Sequence, residues 1–101
     1  MPFGDFINFM PPAVFLLVHL VGFLVGAFFA YRSFEVGANL LGWGFALYAL
    51  AEISYMTYHL NWTTFLFSHT ISEVLDFGAF ALIFVAVART ILDRPGTTVR
   101  A

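Results

Sequence analysis

The stretch FLFSHTISEVLDFGAFALIFVAVARTIL, Phe65 to Leu92, decides how this chain is arranged. Its uncharged part, Phe77 to Ala88, has only 12 residues, and a helix needs about 20 to cross a bilayer. Either the polar segment Phe65 to Asp76 belongs to the same crossing, or the chain turns back as a re-entrant loop. Basic residues choose between the two. With three crossings, Arg32, Arg89, Arg94 and Arg100 all fall on one side, while the N-terminus and the loop Asn61 to Thr64 carry no basic residue. A re-entrant segment would put Arg89, Arg94 and Arg100 opposite Arg32, against the positive-inside rule. A full span over 65–92 is therefore expected, stopped by Asp93, Arg94, Pro95 and Gly96. The tail beyond it is expected to fray.

Working outward, the rest of the chain agrees with a membrane assignment. Of 101 residues, 61% are hydrophobic, 10% are charged and 14 are Phe, far too little polar surface to cover a soluble domain of this size. Residues 6–31 carry no formal charge, and Pro11 and Pro12 suit the first turn of a helix. No basic n-region or small-residue cleavage site marks this run for removal, so it is expected to remain as a span. Arg32, Ser33 and Glu35 read as a tight turn with Ser33 as N-cap of the next helix. The aromatic segment PFGDFINF before the prolines reads as interfacial. The expected fold is an all-α membrane protein: one domain, 1–101, with three transmembrane helices over about 12–31, 34–60 and 65–92 in a small up-down-up bundle. The N-terminus is expected outside, or periplasmic, and the C-terminus in the cytoplasm. Gly22, Gly26 and Ala30 form a small-residue stripe on the first helix, and Gly42 and Ala46 on the second, suited to close packing within the chain or against a neighbour.

Function is sought in the few polar groups. Glu52, Tyr55 and His59, then His69, Glu73 and Asp76, form a near mirror image with spacings of three and four residues, so each set lies on one helix face. In an antiparallel hairpin, positions whose numbers sum to about 128 share a height. Glu52 then faces Asp76, Tyr55 faces Glu73, and His59 faces His69. Glu52 and Asp76 lie roughly 10 to 15 Å inward of the two histidines at 1.5 Å per residue, and His19 on the first helix reaches a similar depth in the outer leaflet.

Four readings of the cluster compete. As a metal site, His69 and Glu73 are one turn apart and His59 completes the set from across the hairpin, with Asp76 or Glu52 as further ligands and Tyr55 in support. That donor set suits zinc, iron or copper. As an interhelical lock, the carboxylates share protons with each other, His and Tyr, fixing helix register. As a proton or cation relay, the path stops halfway, because nothing polar enough follows Asp76 before Arg89. His19, beside Gly22, is also a candidate axial ligand for haem or a pigment.

Other chemistry has little footing. No Cys is present, which removes thiolate sites and disulfides. There is no Ser-His-Asp spacing, no phosphate loop and no basic stripe for nucleic acid. Ser68, Ser72, Thr57 and Thr70 read as satisfying backbone carbonyls or facing headgroups, and Arg89 with Asp93 as a snorkelling pair. A body this small points to an accessory subunit of a multi-subunit complex rather than an enzyme by itself. It would lie in the lipid bilayer with other membrane subunits or further copies, carrying the metal site. Alternatively, it is a structural subunit of an oxidoreductase or energy-transducing assembly.

Overall fold

The computed structural model describes residues 3–92. It is all-helical among those residues: a short 3₁₀ turn, Asp5–Phe9, then α1 (Pro12–Glu35), α2 (Asn39–His59) and α3 (Phe65–Leu92). Pro12 sits in the first turn of α1, where its missing N–H has no partner to lose. In the 3₁₀ turn Asn8 donates to Asp5 at 2.9 Å, and Phe6 and Phe9 are exposed. The expected stop signal after Leu92 and the Arg89–Asp93 pair involve residues outside those described.

Both connections end their helices in the same way. At the end of α1 the Ala38 amide donates to the Ser33 carbonyl (2.8 Å) and Gly37 to Phe34 (3.1 Å), with Gly37 at φ 85°. At the end of α2, Trp62 donates to Thr57 (2.9 Å) and Asn61 to Tyr58 (3.0 Å), with Asn61 at φ 66°. These are two Schellman motifs, which need a left-handed residue that Gly and Asn supply at least cost. The first corrects the expectation for Ser33. It does not cap α2 but lies buried inside α1, which runs on through Arg32 and Glu35, whose side chains pair with each other.

Helix α2 is the centre of the molecule, because α1 and α3 each pack along it and scarcely touch one another. The interior is built almost wholly of small residues. Ala30, Ala49, Ala51, Ala79, Ser33, Ser68 and Ser72 are buried, and Ser68 and Ser72 are the largest side chains that are fully so. A Cβ on Gly26 would stand 2.7 Å from the Tyr48 ring, and one on Gly44 would stand 2.6 Å from Ile83 Cγ1. Backbones thus approach as closely as glycine allows.

Hydrogen bonds then fix α3 on α2. Ser68 Oγ donates to the Ser54 carbonyl (2.7 Å), Ser54 Oγ to the Ser68 carbonyl (3.2 Å), and Ser72 Oγ to the Ala51 carbonyl (3.1 Å). Large apolar side chains point outward instead. Helices α1 and α3 are long and apolar enough to cross a membrane, and only 11% of each apolar stretch is buried. The core helix of a soluble protein would be mostly covered.

Candidate functional site

The site begins with two pairs of rings, each pair one helical turn apart. Phe15 and His19 project from α1, Tyr55 and His59 from α2, and they interleave in the order Phe15, His59, His19, Tyr55. Phe15 stacks on His59 (centroids 5.1 Å, planes 6° apart), His59 on His19 (5.5 Å, 23°), and His19 on Tyr55 (4.8 Å, 17°). The spacing of four residues puts both rings of each pair on one face of its helix, which lets the two pairs alternate. Tyr58 adds an edge contact to His59 at 4.9 Å.

Between His59 and Tyr55 in this stack, His19 has its Nδ1 2.6 Å from Glu52 Oε2, with side-chain exposures of 20% and 12%. Two electronegative atoms that close must have a proton between them, carried either by the imidazole nitrogen or by the carboxyl group, according to the histidine tautomer. Gly22, one turn below His19, leaves the space that Glu52 occupies. A Cβ there would stand 3.0 Å from Glu52 Cδ and 3.1 Å from Tyr48 Oη.

Tyr55 joins the three helices. Its ring lies on His19 of α1, and its hydroxyl reaches toward Glu73 Oε1 of α3 at 3.4 Å, a long contact. Asp76 has the carboxylates of Glu52 and Glu73 as its charged neighbours. Its Oδ1 is buried and has no hydrogen-bond partner among the described residues. His69 is exposed and stacks on Phe65 at 5.2 Å.

Of the three expected hairpin pairs, Tyr55 contacts Glu73 and Asp76 has Glu52 as a charged neighbour, while the two histidines stack on other rings. Glu52 makes its hydrogen bond to His19, on the first helix, while Asp76 Oδ1 has no partner among the described residues. His59 packs between Phe15 and His19, whereas His69 rests against Phe65 on its own helix. Among the described residues, no three His, Asp or Glu side chains gather closely enough to hold a metal ion. His19, the candidate axial ligand, has one ring nitrogen engaged by Glu52. The sequence reading missed Phe15 and Tyr48 as members of the site. Their signal was the repeat of four residues from Phe15 to His19 and from Tyr48 to Glu52. Comparison of the chain with known protein families, with characterised proteins and with solved structures finds no match.

Proposed function

We propose that the chain is an integral membrane protein of three spans, N-terminus outside, that serves as a small structural subunit of a larger membrane assembly. In this reading the polar cluster is an interhelical lock. The observation that carries it is the 2.6 Å His19–Glu52 contact, sealed by stacked rings in a body whose remaining surface is largely apolar. An unpaired carboxylate at the centre of a membrane helix costs about 2.5 to 3.5 kcal/mol on insertion scales. The hydrogen bond to His19 offsets much of that cost and works only in one register of α1 on α2.

The same logic accounts for α2, which is less apolar than its neighbours. It is flanked by α1 and α3 and carries Tyr48, Glu52, Ser54 and Tyr55 toward them, so lipid meets less of it. Asp5–Phe9 would lie in the outer interface with its Phe side chains inserted. Arg32 and Arg89 would lie on the cytoplasmic side. The lock is favoured over a metal site because His59 and His69, the imidazoles expected to share an ion, are each stacked on other rings.

The test is cell fractionation followed by native electrophoresis. The wild-type chain should stay in the membrane pellet after alkaline carbonate extraction. Replacing Glu52 by Leu should lower the amount of assembled complex recovered in mild detergent without changing the activity per assembled complex. Loss of activity in complexes that still assemble would refute a structural role.

A further inference from the structure

Two ionisable side chains one turn apart on α3 are exposed, His69 and Glu73; within the chain His69 rests on Phe65 and Glu73 has a long 3.4 Å contact to the Tyr55 hydroxyl. They cannot turn inward. The rotation of α3 is set by Ser68 and Ser72, whose hydroxyls are hydrogen-bonded to carbonyls of α2 and fully buried. Depth makes the exposure significant, on the membrane reading proposed above. If Arg89 marks the inner boundary of the hydrocarbon, about 30 Å at 1.5 Å per residue leads back to His69, and Glu73 stands about 6 Å inside. A carboxylate there, held only by a 3.4 Å contact to Tyr55, faces lipid unless another polypeptide covers it.

We propose that this edge of α3 is where two copies of the chain meet, His69 of each copy reaching Glu73 of the other. Complementarity singles out a second copy as the occupant. Each copy presents one imidazole and one carboxylate a single turn apart, and a two-fold interface brings residue i to residue j and j to i. Both groups on both copies are then satisfied by the same two residues. Flanking Leu66 (72% exposed) and Thr70 present the adjoining surface. The site is incomplete in one chain and complete in two.

The chain has no cysteine, so a single introduced thiol reports on one surface only. Leu66→Cys lies on the proposed edge, and Leu17→Cys on the outward face of α1 is the control. Membranes containing the full-length variants are treated with a short bis-maleimide after alkaline carbonate extraction has shown each to be retained. Leu66→Cys should give at least tenfold more crosslinked dimer than Leu17→Cys. In that background, His69→Glu or Glu73→His should each lower the yield at least fivefold, since each leaves four like groups together. The combined swap should restore it to within twofold, which a misfolded variant could not do.

Equal crosslinking at the two positions overturns the proposal. So does a combined swap that fails to restore dimer, because a different partner or lipid headgroups would not tolerate the exchange. Extraction of the wild-type chain by carbonate would overturn the membrane reading and this proposal together, whereas retention with failed crosslinking overturns the proposal alone.

Discussion

Replacing His19 by Phe and Glu52 by Leu, singly and together, separates the 2.6 Å contact from the ring stack around it. Phe keeps an aromatic ring between His59 and Tyr55, and Leu keeps much of the bulk beside Gly22. His19→Phe leaves a carboxylate that is 12% exposed without its partner, at a cost of about 2 kcal/mol. Glu52→Leu leaves an unpaired imidazole nitrogen, at about 1.5 kcal/mol. The double variant buries no orphaned group and should keep only the repacking part of the two single effects, about 2 kcal/mol in all. The coupling is then about 1.5 kcal/mol, near the upper limit of about 1.7 found for interhelical hydrogen bonds in membranes. The upper end applies because the contact is short and both groups are largely covered. Reversible unfolding of the four proteins in mixed lipid and detergent micelles measures it. Single effects that add to within about 0.3 to 0.5 kcal/mol would show the two residues to be independent and would refute the lock.

Other perturbations follow from the packing and are read by the same unfolding assay. Gly44→Ala places a methyl 2.6 Å from Ile83 Cγ1 and 3.2 Å from the Ala79 carbonyl oxygen, so it should cost about 1 to 3 kcal/mol; a neutral result would mean that α2 and α3 are not so close. Ser72→Ala removes a buried bond to the Ala51 carbonyl and should lower stability by about 1 kcal/mol. Asp76→Leu should instead raise stability by about 1 to 2 kcal/mol, since Asp76 Oδ1 is buried without a partner among the described residues and two carboxylates are its neighbours. A loss on Asp76→Leu would show that Asp76 is held by a group outside the chain.

The three helices were legible in the sequence because apolar runs, prolines and turn residues all point the same way. The first turn was less so. Arg32, Ser33 and Glu35 look like a loop, yet a helix can carry charged residues through its last turns, and the decisive residue was Gly37, needed at positive φ for the Schellman motif. The pairing within the site was hidden for a different reason. Spacing of three and four residues shows which groups share a face of one helix, but not how far a neighbouring helix is slid along it. The slide of α1 on α2 is set by Gly22 and Gly26 against Tyr48, Ala49 and Glu52. That contact brings His19 within hydrogen-bond distance of Glu52, which also has Asp76 as a neighbour. The serines were read as satisfying backbone carbonyls; which carbonyls they reach, on the facing helix, required the packed pair.

The interior of alanine, glycine and serine also bears on how this chain can change over generations. In a water-soluble domain the bulky buried residues are the constrained ones and the surface drifts. On the membrane reading proposed above, the arrangement here is inverted. Outward positions such as Leu24, Phe28, Phe80 and Phe84 can exchange among large apolar residues at little cost, whereas a single added carbon at Gly26 or Gly44 collides with a neighbouring helix. Descendants of this chain would keep their smallest residues and lose their largest. Similarity scores, which give most weight to bulky and aromatic identities, would then fade in such a lineage well before its shape did.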